Sequence, residues 1–113
     1  MLSAASWAEW TEVYAMRNLG NVYVDFDNIR KVNGMVYYWQ ITDLLEPDKW
    51  GTMSSKSYFK VDCPTLGVML LSMSIYKLPM AEGNAERRIT PDRKWTLFHD
   101  GVLAPTLEAV CAH

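Results

Sequence analysis

The sequence predicts an α+β domain in which a curved antiparallel sheet of about six strands carries one C-terminal helix on one face. Apolar and polar side chains alternate with a period of two along most of the chain, which is typical of strands with one buried face. The C-terminal residues change to helical spacing. A length of 113 residues, half of them hydrophobic, is enough for one domain with a modest core.

Six segments have the alternation, or the enrichment in β-branched and aromatic residues, that predicts strands. They are residues 10–16, 21–26, 35–42, 55–62, 68–76 and 94–99. In the third segment, Tyr37 and Trp39 fall on one face and Tyr38 falls on the other. Every predicted strand is short, so the sheet needs frequent turns.

The residues between these segments supply such turns. Asn33-Gly34 is the pair favoured in a type I′ hairpin turn, and residues 18–21 predict another tight turn. Residues 27–31 predict a helical turn, whereas residues 46–52 and 78–93 predict longer loops. Hairpin connections of this kind favour antiparallel pairing of strands that follow each other in the chain.

The C-terminal helix has one apolar face, formed by Leu103, Leu107, Val110 and Cys111. Cys63 comes directly after the fourth predicted strand, within reach of a helix that lies across the sheet. A bond between the two cysteines would close a loop of about 49 residues and stabilise the fold by about 4 kcal/mol. It would persist only in an oxidising compartment. The alternative is two independent buried thiols.

Charge and hydropathy exclude several classes of partner. The chain has 11 basic and 13 acidic residues, so no basic surface for nucleic acid or an anionic membrane is expected. No stretch has the apolar length of a membrane helix. Residues 1–6 are small and apolar like the tail of a signal peptide, which predicts an exported domain over residues 7–113. A cytosolic protein with an apolar N-terminus is the alternative.

Motifs that resemble catalytic or metal sites each fail on spacing. Ser57 and Lys60 match a Ser-x-x-Lys pattern, but on a strand they face opposite sides. Residues 25–28 begin like a calcium loop without its later ligands. His99 and His113 do not have zinc-site spacing with the cysteines. We therefore predict no catalytic residue, no metal site and no cofactor.

Four aromatic residues of the second and third strands predict an interaction surface: Tyr23, Tyr37, Tyr38 and Trp39. One aromatic set must fill the core, and a helix of about nine residues is too short to cover a six-stranded sheet. The other set then forms an exposed patch of the kind found at interfaces. A homodimer or a protein partner would cover it. The alternative is that both sets are buried within one domain.

The order and spacing of several short pieces resemble the surface-adhesin protein E family of Gram-negative bacteria. The resemblance extends from Trp10 to Cys111. The pieces that carry it are Trp10, residues 20–30, 36–39, 54–57, 61–63 and 73–76, Pro79-Met80, Gly83, Lys94-Trp95 and Val110-Cys111. The sequence departs from many relatives at Phe98-His-Asp-Gly101, where they have a turn like Pro-Gly-Ser.

The resemblance implies an exported domain, located in the periplasm or at the outer membrane and cell surface. It also implies a six-stranded sheet tied to its C-terminal helix by a disulfide, which corresponds to Cys63 and Cys111 here. The founding member of the family resembles a lipoprotein adhesin that binds host matrix proteins such as vitronectin and laminin, and it can dimerise. The resemblance therefore implies a protein partner, a homodimer and a lipid anchor upstream of this sequence as expectations.

These observations predict an exported, non-enzymatic domain that binds another protein through its sheet face or loops. Two alternatives remain from the sequence. One is a periplasmic or envelope protein with a structural or stress-related role. The other is a small-molecule carrier that uses a concave aromatic face.

Overall fold

The computed structural model describes residues 9–97 and 103–113. Within these ranges eight strands form one antiparallel sheet, and one helix follows them. The elements are β1 (Trp10–Met16), β2 (Gly20–Asp25), β3 (Arg30–Val32), β4 (Met35–Leu44), β5 (Ser54–Asp62), β6 (Gly67–Tyr76), β7 (Arg87–Ile89), β8 (Thr96–Leu97) and α1 (Ala104–Ala112). Among the described residues, no helix is long and apolar enough to span a membrane.

The strand order in the sheet mostly follows the order in the chain. The main path is β1-β2-β4-β5-β6-β7, with β3 paired to β4 and β8 paired to β6. One long ladder joins β4 to β5, from Met35 opposite Asp62 to Asp43 opposite Ser54, and an equally long one joins β5 to β6. The ladders β1–β2 and β5–β6 each contain an irregularity of register, and such bulges bend and twist a sheet. The predicted curved antiparallel sheet with one C-terminal helix is confirmed.

The sheet has two more strands than predicted. The helical turn predicted at residues 27–31 is observed one residue earlier, as a short 3-10 helix at Phe26–Asn28, and the chain then enters β3. The tight turn after Val32 returns the chain alongside β3, so three residues pair there. The second added strand, β7, lies inside the predicted loop 78–93 and pairs with Met73–Ile75. These extensions are too short to show a period of two.

The last predicted strand is observed only in part. β8 covers Thr96–Leu97 and pairs with the start of β6. Residues 98–99 of that prediction, the motif His99-Asp100 and the predicted leader segment 1–6 all lie outside the described residues.

Two turns depend on backbone conformations with positive φ. Asn33 (φ 52°) and Gly34 (φ 81°) form the predicted type I′ turn between β3 and β4. Gly20 (φ 151°) begins β2 where it meets the end of β4, and a Cβ there would overlap the carbonyl oxygen of Asp43. Close approach of these two strands therefore requires glycine at position 20.

The hydrophobic core lies between the sheet and α1. Its buried side chains are Val24, Val36, Tyr38, Val61 and Val68 from the sheet with Leu107 and Val110 from the helix. We call this side of the sheet the helix face and the opposite side the open face. Glu108 lies on the exposed side of α1. The helical face predicted from the sequence is therefore the face that packs.

A disulfide between Cys63 and Cys111 joins the end of β5 to α1. Their Cα atoms lie 5.7 Å apart, within the usual range for a disulfide. The Nζ of Lys31 in β3 donates a hydrogen bond of 2.7 Å to the main-chain oxygen of His113, directly after the helix. The C-terminal segment is thus held to the sheet by a covalent bond, a polar contact and its apolar face.

The helix face also contains a buried polar chain along β4. The hydroxyl of Tyr38 donates to Oε1 of Gln40 at 2.8 Å, and Nε2 of Gln40 donates to Oγ1 of Thr42 at 3.3 Å. These residues are two apart, so their side chains share one face. Burial raises the pKa of the Tyr38 hydroxyl above its ordinary value. The hydroxyl is therefore a neutral donor inside the core.

Candidate interaction surface on the open face

The centre of the open face is formed by alternate residues of β4 and β5. The register places Tyr37 opposite Lys60 and Trp39 opposite Tyr58. Ile41 lies opposite Lys56 in the next row on the same face. Residues directly opposite each other share a face of the sheet. The aromatic row of Trp39 and Tyr58 therefore lies between the two rows that contain Lys60 and Lys56.

The aromatic rings of these rows contact one another. The ring centroids of Trp39 and Tyr58 are 4.5 Å apart, and those of Tyr37 and Tyr58 are 6.1 Å apart. Both distances fall in the range of favourable aromatic pairs. The three rings form a continuous apolar platform at the middle of the face.

Cationic groups lie over the faces of these and neighbouring rings. The Nζ of Lys56 is 5.0 Å from the ring centroid of Trp39 and 5.9 Å from that of Trp10. The Nζ of Lys60 is 5.7 Å from both the Tyr37 and the Trp95 centroids. We call the set the cation–aromatic cluster; its members are Trp10, Arg30, Tyr37, Trp39, Lys56, Tyr58, Lys60 and Trp95. Each lysine thus lies between two rings, an arrangement stabilised by attraction to the ring quadrupole.

In the part of the chain that the structure describes, neither Lys56 nor Lys60 forms an ion pair with a carboxylate. Within residues 9–97 and 103–113, the ion pair that the structure contains joins Lys77 to Glu86, away from this surface. Two acidic side chains on the open face are used internally. Asp25 accepts hydrogen bonds from the Asp27 amide (3.2 Å) and from the side chain of Asn28 (2.7 Å). Asp43 accepts one from the amide of Met80 (2.7 Å). The open face therefore carries both acidic and basic groups, and Lys56 and Lys60 form no ion pair among the described residues.

One end of the open face is covered by the segment after β6. Its amides bind open-face side chains: the amide of Met80 donates to Asp43, and that of Ala81 donates to Oγ of Ser54 at 2.8 Å. Met80 (φ 56°) and Ala81 (φ 54°) both adopt the left-handed conformation. Such residues are unfavourable unless their surroundings hold them. The segment therefore forms a fixed border of the open face.

The structure brings three of the four predicted surface residues onto the open face. Tyr37 and Trp39 lie at its centre, and Tyr23 lies opposite Ile41 on the adjacent strand. The prediction that Tyr38 belongs to this surface is wrong: its side chain has no exposed surface and lies in the core. The reason is that β4 alternates, and α1 covers the side on which Tyr38 lies.

Sequence reasoning missed the lysines and the second aromatic row. Lys56, Tyr58 and Lys60 are each two residues apart on one strand, a pattern that already places them on one face. Their register against β4 decides that this face is shared with Tyr37 and Trp39. That register becomes visible only in the folded sheet.

Motifs with catalytic or metal-binding patterns have structural explanations. Asp25 caps the 3-10 helix at Phe26–Asn28 by accepting a hydrogen bond from the Asp27 amide. Ser57 is buried on the helix face, whereas Lys60 is on the open face. In the described parts of the chain, no group of three or more His, Cys, Asp or Glu side chains is placed to hold a metal ion.

A second surface feature is a groove beside Trp50 on the helix face, beyond the end of α1. Its lining includes Thr42, Leu44, Met73 and Ile75, and its volume is about 230 Å³. Trp50 is 70% exposed, with the Nζ of Lys49 at 4.4 Å from its ring centroid. An adjoining concavity of about 440 Å³ shares Trp50 and Ile75 with this Trp50 groove, so the space beside Trp50 falls within the roughly 300–1,000 Å³ of typical ligand pockets.

The fold and its disulfide define the class of protein: an open antiparallel sheet with a tethered C-terminal helix and an aromatic outer face. The family model described as Surface-adhesin protein E matches residues 10–112. The chain belongs to the surface-adhesin protein E family, as the resemblance in the sequence indicated. The family description supports an adhesin-like function and an exported, envelope-associated location. The comparison with curated proteins gives no match.

Solved structures of Haemophilus influenzae protein E share this fold. Crystal form II aligns with a TM-score of 0.64 and 18% identity, covering 98% of this chain and 94% of that one. The selenomethionine form gives a TM-score of 0.63 and 17% identity, covering 98% and 93%. At this identity the likeness concerns the fold.

Proposed function

We propose that this domain is a non-enzymatic protein-binding module at the bacterial cell envelope and that it binds its partner through the open face. The observation that carries the proposal is the continuous aromatic platform of Tyr37, Trp39 and Tyr58 at the centre of that face. Centres of protein interfaces are enriched in Trp and Tyr, which remove a large apolar area from water.

The remaining features of the domain support the same function. The disulfide between Cys63 and Cys111 suits an oxidising compartment outside the cytoplasm. Family membership supports a host protein, such as a matrix protein, as the class of partner. The other partner that would cover an exposed aromatic face is a second copy of the chain. A structural role at the envelope would not require such a platform.

The proposal is tested by measuring binding to purified vitronectin and laminin, for wild type and for the variant Trp39→Ala. Interface Trp residues commonly contribute about 2 kcal/mol or more, so we expect Trp39→Ala to weaken binding at least roughly tenfold. Trp50→Ala is the matched control, since Trp50 is highly exposed but belongs to the separate groove. It should leave affinity unchanged.

Sedimentation of both variants at micromolar concentration tests the second copy as partner. A wild-type dimer that becomes monomeric in Trp39→Ala would assign the open face to self-association. The proposal is overturned if Trp50→Ala, and not Trp39→Ala, abolishes binding. It also fails if the wild type is strictly monomeric and binds neither matrix protein.

A further inference from the structure

The cation–aromatic cluster combines two features that together restrict the chemistry of a partner. Its middle is apolar, formed by Trp39 and Tyr58. Its two ends are cationic, since Lys56 and Lys60 lie on either side of Tyr58 along β5. The amino groups of both lysines lie over ring faces within 6 Å.

The spacing of Lys56 and Lys60 determines how far apart two acidic residues of a bound peptide must be. They are four residues apart on an extended strand, which separates their Cα atoms by roughly 13 Å. An extended peptide has the same period, so its residues one, three and five face one side. Carboxylates at positions one and five and an apolar residue at position three would match the lysine, platform and lysine in order.

From this geometry we infer that the open face binds an extended acidic segment of the partner protein, with two carboxylates four residues apart and an apolar side chain midway between them. Charge complementarity selects this occupant: the lysines have no acidic partner within the described residues, and Arg30 adds a third cation, 5.7 Å from the Tyr37 ring. The inference rests on the proposed protein-binding function and specifies the chemistry of the ligand.

The open face also carries carboxylates, but none of them forms an ion pair with Lys56 or Lys60 among the described residues. Asp25 and Asp27 line the same concavity as Trp39 and Tyr58, and Asp43 lies opposite Ser54 in the row next to Lys56. Asp25 is 3% exposed and is hydrogen-bonded to Asn28 and to the Asp27 amide. Asp62 and Glu12 lie on the open face at its margins, opposite Met35 and Tyr23. None of these carboxylates lies directly across the sheet from Lys56 or Lys60. The nearest groups opposite the lysines are Tyr37, Ile41, Met69 and Ser74, which carry no charge.

The test uses short synthetic peptides with blocked ends and calorimetric or fluorescence titration of the whole domain. The probe contains Glu-Ser-Leu-Ser-Glu. One control peptide replaces both glutamates by glutamine, and a second has the same composition with the glutamates adjacent. We expect both controls to bind at least tenfold more weakly than the probe. We also expect added salt to weaken probe binding, because charged contacts at a surface are screened.

Protein variants locate the contact. Lys56→Met and Lys60→Met keep most of the side-chain length and remove the charge, so each should weaken probe binding roughly tenfold. Lys49→Met is the matched control, because Lys49 also lies over a tryptophan but at the Trp50 groove. It should leave affinity unchanged. The thermal midpoint of each variant shows that the fold is retained.

Several outcomes would overturn the inference. Equal binding of the glutamine peptide or of the adjacent-glutamate peptide would show that charge or spacing is not recognised. Binding of heparin that depends on both lysines, without binding of the peptides, would assign the face to an anionic polysaccharide. If the peptides fail while Trp39→Ala still weakens binding to a matrix protein, the acidic ligand is refuted and the protein-binding function stands.

Discussion

Tyr37 and Tyr38 are neighbours on β4, yet they belong to regions with different physical roles. Tyr38 is fully buried on the helix face, where its ring lies 5.5 Å from that of Phe59 and its hydroxyl binds Gln40. Tyr37 is partly exposed on the open face, with Lys60 and Arg30 over its ring. The difference teaches that residue type does not decide the role of an aromatic in a sheet. The position of α1 decides it.

The two faces also treat polar atoms differently. On the helix face, the described polar groups along β4 form a closed chain from Tyr38 through Gln40 to Thr42. Buried polar groups need such partners, because an unpaired one carries a desolvation penalty. On the open face, the lysines keep donors available above the rings. The polar chain along β4 is therefore completed within the fold, whereas the lysines of the open face have donors left for a partner.

The largest expected effect comes from releasing the helix that creates this difference. Replacing both Cys63 and Cys111 by serine opens a loop with a sequence separation of 48 and should lower the free energy of unfolding by about 4 kcal/mol. Urea unfolding of the variant and of the wild type measures the loss.

Wild type unfolded in a reducing buffer is the control, and its stability should match that of the double serine variant. A loss below about 1 kcal/mol would contradict the prediction. It would mean that the apolar face of α1 holds the helix without the bond.

A smaller effect is expected from the packing of the helix itself. Leu107→Ala removes a fully buried side chain from the core and should cost about 3 kcal/mol. Glu108→Ala changes the neighbouring residue on the exposed side of the helix and should change stability by less than about 0.5 kcal/mol. Thermal or urea unfolding of the pair measures the contrast. Small and equal effects would show that α1 does not create the helix face.

Most of this architecture is predictable from the sequence, because it rests on strong local patterns. The strand β1 has the predicted bounds, and β4, β5 and β6 begin or end within two residues of theirs. The apolar face of the helix and the type I′ turn at Asn33-Gly34 are also confirmed. The extra strands β3 and β7 were missed, because three-residue strands form only through pairing with a longer neighbour.

The site is predictable only in part, for a physical reason. The sequence shows that Tyr37 and Trp39 oppose Tyr38, but either set could fill the core. The choice depends on which side α1 covers, and this is decided by its chain path and by the bond at Cys63. Lys56 and Lys60 lie beside the aromatic residues because of the register of β5 against β4. This register is a long-range property, and alternation within one strand does not determine it.

The smallest predicted loss of stability comes from removing a single tyrosine hydroxyl, which we compare between the two faces. Tyr38→Phe leaves Oε1 of Gln40 without its buried donor and should cost about 2 kcal/mol at pH 7. Tyr37→Phe removes the same atom from the open face and should cost less than about 0.5 kcal/mol. Urea unfolding of both variants at pH 7 measures the free energy of unfolding that each hydroxyl contributes.

The pH dependence of the same pair of proteins, wild type and Tyr38→Phe, identifies the buried hydroxyl directly. Burial raises the pKa of Tyr38 above 10.0, its ordinary value, which it regains in the unfolded chain. Above pH 10 the unfolded chain therefore loses a proton that the folded protein retains, and this lowers stability by about 1.4 kcal/mol per pH unit. The advantage of wild type over Tyr38→Phe is full below pH 10 and is lost as pH rises further. An advantage that stays constant up to pH 11 would contradict a buried, neutral Tyr38.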